Sequence, residues 1–202
     1  MSLLDGVTVY RGESFADGDF ADRELRGYTF EDCDFRGADF SGALLEKCRF
    51  SACRFDFARM NDTLSRSTAY ENCTFSAASL FVAEFRDCRT TGCSLAGADL
   101  TGWTVRGGVM EFCVLEGAAL KKQDFSGVSL RGTNFQDADL EKADLTGCDL
   151  SEVVFRGAKL KNADLRRANF HSTDIRFAHM ENTAFDVEGA IYITRCMGGI
   201  VK

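Results

Sequence analysis

Residues 138–150 read Ala138-Asp139-Leu140-Glu141-Lys142-Ala143-Asp144-Leu145-Thr146-Gly147-Cys148-Asp149-Leu150. A small residue, an aspartate, a leucine and two polar or small residues follow one another, and the unit restarts five residues on. Stepping outward in fives from Leu140, the large apolar position recurs back to Tyr10 and forward to Phe185. Of these 36 positions 34 are large and apolar, and the phase never slips, so no loop interrupts the run. The two departures are Ser65, beside Leu64, which reads as a local shift, and Thr90. A period of five fits neither a helix at 3.6 residues nor a flat strand at 2. It fits a chain that turns a corner every five residues, with one large and one small residue inward and three residues outward.

The small inward position lies two residues before the large one. Cys33, Cys48, Cys53, Cys73, Cys88, Cys93, Cys113 and Cys148 all fall there, which is eight of the nine cysteines. Glycine recurs two residues after the large position, as at Gly37, Gly42, Gly97 and Gly157, where a corner needs positive φ. The chain has no proline, the residue that would break a stack of backbone hydrogen bonds. Charged residues make up 27% and apolar residues 45%, which excludes a disordered chain. No run approaches the ~18 apolar residues of a membrane span. Met1-Ser2-Leu3-Leu4-Asp5 shows no basic stretch before an apolar block, so the expected compartment is the cytoplasm.

The pattern Ala-Asp/Asn-Leu/Phe-x-x, best seen at Ala38-Asp39-Phe40, Ala98-Asp99-Leu100, Ala138-Asp139-Leu140 and Ala168-Asn169-Phe170, resembles the pentapeptide-repeat family. The resemblance covers about nine tenths of the chain. It implies an all-β fold, a right-handed quadrilateral β-helix with four repeats to a coil, closed here by a short C-terminal helix. Residues 20 apart should then stack. Tyr10, Phe30, Phe50 and Tyr70 are so spaced, as are Phe35, Phe55 and Phe75, and Cys33, Cys53, Cys73, Cys93 and Cys113. The cysteine column reads as packing. Coils ~4.8 Å apart hold parallel Cβ atoms at about that distance, outside the usual range for a disulfide. Neither a metal nor a cofactor is expected.

Three segments follow: an N-terminal cap over 1–9 with Leu3, Leu4, Val7 and Val9, the β-helix over 10–185, and a tail over 186–202. In the tail Asp186 reads as a helix N-cap. Val187, Ala190, Ile191, Thr194 and Met197 fall at helical spacing as the inward stripe, and Gly198-Gly199 ends the helix. Apolar residues left over after one plug lead us to expect a homodimer through the C-terminal ends, formed by Ile191, Ile193, Met197, Ile200 and Val201.

Catalysis needs a converging nucleophile, base and oxyanion donor, and the sequence offers none. His171 and His179 are the only histidines, both at outward positions. No enzyme activity is expected. Within the family the chain most resembles the quinolone-resistance branch of Qnr and MfpA types, and the loopless MfpA form in particular. The resemblance implies a DNA-mimicking rod that binds DNA gyrase or topoisomerase IV and protects it from quinolones or toxins, without contacting nucleic acid or membrane. The rival reading is a scaffold rod unrelated to topoisomerase. Charge supports mimicry only in part. Duplex DNA of the ~43 Å expected for nine coils carries roughly 25 negative charges, whereas the chain has a net charge of -7. Grouped by face, the outward charges form no single acidic stripe. The candidate partner surface consists of Phe57, Phe112 and Phe177 at outward positions, Trp103 at a small inward slot, and Asp19, Asp39, Asp99 and Asp139.

Overall fold

A corner every five residues needs a turn that costs little and a ladder that pairs the straight segments. Both are present in the computed structural model, which describes residues 7–201. Leu3 and Leu4 of the expected cap lie outside those residues. The chain is a right-handed four-sided β-helix with a short C-terminal helix, divided into a compact unit that ends at Gly108 and a second that begins at Val109.

In the first unit, strands β1 (Val9–Arg11), β3 (Thr29–Glu31), β5 (Arg49–Ser51), β7 (Ala69–Glu71) and β9 (Arg89–Thr91) stack in parallel on one side. Strands β2 (Glu24–Arg26), β4 (Leu44–Glu46), β6 (Leu64–Arg66), β8 (Glu84–Arg86) and β10 (Thr104–Arg106) stack on another. The remaining two sides are held by single bridges such as Asp34↔Arg54 and Asp39↔Arg59. All registers step by 20 residues, as in Phe30↔Phe50 and Leu25↔Leu45.

Half of the corners in the first unit share one hydrogen-bonded geometry, and the others, beside the three-residue strands, are open bends. The Ala38 N–H donates to the Phe35 carbonyl at 3.1 Å across Gly37, whose φ is 70°. This is the type II turn, which requires a left-handed third residue. The aspartate of the repeat helps to set it. Asp19, Asp39, Asp99 and Asp139 each accept the backbone N–H two residues on, at 2.9–3.2 Å.

Large inward side chains form columns. Phe15, Phe35, Phe55 and Phe75 stack at 5.0–5.1 Å between ring centroids and nearly parallel. Tyr10, Phe30, Phe50 and Tyr70 do the same at 5.0–5.4 Å, and the two columns meet edge to face, as at Phe30 and Phe35. The small inward slot accepts cysteine and threonine because each has a carbonyl to donate to. Cys53 Sγ donates to Phe30, Cys73 Sγ to Phe50 and Thr68 Oγ1 to Leu45, always 23 residues back. The cysteines are free thiols, eight of them buried.

The structure corrects the expected shift at Ser65. Ser65 is buried in register between Leu45 and Phe85, and its hydroxyl shares a 2.8 Å hydrogen bond with the Tyr70 hydroxyl. A serine fits because the phenol needs both room and a polar partner at that point.

In the second unit the same ladder runs from β11 (Val109–Glu111) through bridges such as Val109↔Ser129 and Asp144↔Asp164 to Asp164↔Ala184. Helix α1 (Val187–Cys196) closes it. Asp186 caps the helix by accepting from Gly189 N–H at 2.8 Å, and its second oxygen accepts from Arg167 N–H at 2.6 Å. The inward stripe is not the expected one. Val187, Ala190, Thr194 and Met197 face solvent, and Gly189 and Tyr192 face the last coil. A Cβ at Gly189 would stand 3.4 Å from the Phe170 ring, so this side of the helix lies in close contact with the last coil. The helix approaches on its bare side, and Tyr192 stacks over Phe170 at 5.7 Å while its hydroxyl donates to the Thr173 carbonyl.

Candidate functional site

The four sides of the first unit differ in charge. One carries an arginine column, Arg26, Arg66, Arg86 and Arg106, in which carboxylates bridge successive coils. Glu46 pairs with Arg26 and Arg66, and Glu84 with Arg86 at 2.6 Å and Arg106 at 3.0 Å. That side neutralises itself.

The next side behaves differently. It is built on the bridged column Asp19, Asp39, Arg59, Ser79 and Asp99, followed by the corner positions that carry Asp22 and Asp62. The corner before the bridged column carries Arg36, paired with Asp34, and the column itself carries one cation, Arg59, which donates to Asp39 at 2.7 Å. That hydrogen bond, with those from Ser41, holds the Asp39 carboxyl down at about 2. Among the described residues Asp19, Asp22, Asp62 and Asp99 have no ion pair. The acidity belongs to this unit and does not continue: at the same repeat phase residues 109–201 carry Lys121, Lys122, Lys142, Lys159 and Lys161, so charges pooled along the whole chain cancel.

Three large apolar side chains stand on this acidic side. Phe57, 69% exposed, occupies the corner that leads into Arg59. Phe81 and Val82, 46% and 44% exposed, occupy the corner that follows Ser79, stacked on Asn61 and Asp62 of the coil below. Sequence reasoning found Phe57 but missed Phe81 and Val82, although both sit at outward positions.

Other candidates fall elsewhere. Trp103 is no surface anchor. It is 1% exposed and meets Phe85 edge to face at 5.6 Å. The indole fits a small slot because Thr90, Leu95 and Val105, the neighbouring large positions, are smaller than the aromatics that precede them. Among the described residues its Nε1 has no hydrogen-bond partner. Asp39 is half-buried and ion-paired rather than free. In the second unit Asp139 is flanked by Lys121 at 3.4 Å and Lys159 at 3.9 Å. Phe112 lies over Gly132 with the Arg131 guanidinium 5.8 Å from its ring centroid, and Phe177 has Arg176 at 5.6 Å. Of the tail residues, Ile191 and Ile193 are half-buried, whereas Met197, Ile200 and Val201 are exposed. Among the described residues no group of histidine, cysteine and carboxylate side chains could hold a metal ion, and no helix is long and apolar enough to cross a membrane.

The family model for pentapeptide repeats matches residues 113–151 and 148–185, and the model for a pentapeptide repeat region matches 23–100. The chain belongs to the pentapeptide-repeat family. Among solved structures it is similar to QnrB1, described as a plasmid-mediated fluoroquinolone resistance protein. One trypsin-treated variant of QnrB1 gives a TM-score of 0.83 at 23% identity, over 96% of this chain and 97% of that one. A second trypsin-treated variant gives 0.76 at 23% identity over 96% and 97%, and the full-length form 0.62 at 23% identity over 94% and 97%. At this identity the likeness is one of fold. No curated protein sequence matches the chain.

Proposed function

We propose that this pentapeptide-repeat protein binds a type II topoisomerase, DNA gyrase or topoisomerase IV, in the cytoplasm. It occupies positively charged surface that otherwise receives DNA and so protects the enzyme from quinolones or topoisomerase-poisoning toxins. One observation carries this reading: the aspartate-lined side of the first unit, where among the described residues Asp19, Asp22, Asp62 and Asp99 stand without ion pairs on a β-helix of the fold seen in QnrB1. Fixed carboxylates on a repeating ladder give a field of the sign DNA presents, and a field steers association toward a basic groove without matching DNA charge for charge. The protein acts by presenting surface, with no catalytic step and no cofactor. It works as a homodimer joined through the C-terminal ends, where Met197, Ile200 and Val201 offer exposed apolar surface.

The test is a supercoiling assay with purified gyrase, run with and without a fluoroquinolone, and a decatenation assay with topoisomerase IV. The expected result is a concentration-dependent rise in the drug level needed to inhibit, or direct inhibition. An absence of binding, protection and inhibition with both enzymes rejects the reading.

A further inference from the structure

Phe57, Phe81 and Val82 are unfavourable residues for the positions they hold. Phe57 has φ 61° and Val82 φ 51°, in the left-handed region that disfavours bulky and β-branched side chains relative to glycine. All three also expose apolar surface. The fold requires none of this. At the phase of Phe57 neighbouring coils carry Gly37 and Ala77, and at the phases of Phe81 and Val82 the next coil carries Thr101 and Gly102.

Their placement is also fixed. Backbone N–H of Phe57 donates to Ser76, that of Asp62 to Phe81 and that of Val82 to Thr101, all at 2.9 Å. Four residues separate Phe57 from Asn61, the residue beneath Phe81, a span of at most ~13 Å in extended chain. The three side chains therefore border one strip of surface, held by ladder rather than loop. Presenting them costs no loop ordering on association. Around the strip stand Asp39, Asp56, Asp62 and Asp99 against two arginines, Arg59 paired with Asp39 and Arg36 paired with Asp34, so the charge complement is a cationic rim.

We infer that Phe57, Phe81 and Val82 form an anchor cluster that docks into an apolar pocket on a protein partner, with basic residues of that partner facing the surrounding aspartates. Nucleic acid is excluded by the sign of the rim. This deepens the proposed function and rests on it: the partner is the topoisomerase, and the contact is an apolar anchor within a charged frame rather than charge alone. Charges set the approach rate and its salt dependence, and buried anchors set the residence time.

The experiment measures association and dissociation of the full chain with intact gyrase at low and high salt. The variants are the triple substitution Phe57→Ala, Phe81→Thr, Val82→Gly and, separately, Asp62→Asn with Asp99→Asn. The triple variant takes residues that adjacent coils already use, so its unfolding midpoint should equal or exceed that of the parent. Anchor loss should weaken binding about thirtyfold, through faster dissociation at both salt concentrations. The aspartate variant should lower association mainly at low salt. If the parent binds and the folded triple variant binds as tightly, the anchor assignment is overturned and the topoisomerase reading stands. If the parent does not bind gyrase, the reading itself fails and takes the assignment with it.

Discussion

Gly97 and Gly108 share the same backbone angle, φ 74°, and differ in what surrounds them. A Cβ on Gly97 would meet nothing within 4 Å. A Cβ on Gly108 would lie 2.1 Å from the Cys88 carbonyl oxygen and 2.8 Å from the Cys88 nitrogen. Gly97→Ala therefore costs only the left-handed conformation, about 1–2 kcal/mol, less the ~0.4–1 kcal/mol recovered from a stiffer unfolded chain. Gly108→Ala incurs the same two effects and a clash with backbone. Relieving it means moving Cys88 by about 1 Å, and Cys88 is tied to Ser65 through Sγ while Arg89 N–H bonds Thr68. Losing one buried backbone hydrogen bond adds about 1–3 kcal/mol. The difference between the variants should be about 2 kcal/mol, or ~1 M in urea midpoint at a slope of ~2 kcal/mol/M. Trp103, the sole tryptophan and buried in the same unit, reports the transition by fluorescence. Equal midpoints for the two variants would refute the register that brings coil 108 onto coil 88.

Phe35→Ala should destabilise by about 3–5 kcal/mol, because Phe35 is fully buried and stacks on Phe15 and Phe55; a loss below about 1 kcal/mol in urea titration would deny the aromatic column. Burial pushes the Cys88 thiol up to about 11 and the Cys148 thiol to about 12, so in a native thiol titration Cys196 should react first and the eight buried cysteines only on unfolding. Asp39 is held at about 2 by Arg59, below its unfolded value; its contribution is present above about pH 4 and is lost as pH falls toward 2. Screened at the surface, that loss should be about 1 kcal/mol, and Asp39→Asn should remove it from a stability–pH profile. Ile200→Asp should convert a dimer to a monomer in light scattering, since Ile200 is 83% exposed; a parent chain that is monomeric at micromolar concentration contradicts the C-terminal contact.

The repeat was legible because its cause is local. A corner every five residues forces a large and a small residue inward at fixed phase, and the stack of Phe35 on Phe55 follows from phase alone. What escaped was set by compensation in three dimensions. Ser65 looks like an interruption until Tyr70 is seen to place its hydroxyl there. Helix α1 has an apolar stripe that predicts the wrong inward side, because Tyr192 stacks on Phe170 and bonds Thr173 and so turns its own face, with Gly189, to the last coil. The site was half legible: Phe57 and the aspartates stood out, Trp103 was misplaced, and Phe81 and Val82 were passed over.

That pattern separates structural departures from functional ones. Where the repeat is broken inward, at Ser65 or Trp103, a neighbouring side chain explains the break. Phe112 breaks it outward with φ 54°, yet its ring rests over Gly132 and beside Arg131, so its own unit offsets part of the strain. Phe57 breaks it outward at left-handed φ with 69% of its surface in solvent, while Val82, 44% exposed, sets its Cγ1 against Gly102 of the next coil as Phe112 does its ring against Gly132. The exposure of Phe57 is a cost to the free protein that the proposed anchor contact would offset, which is why the anchor variants are expected to fold at least as well as the parent and to bind less.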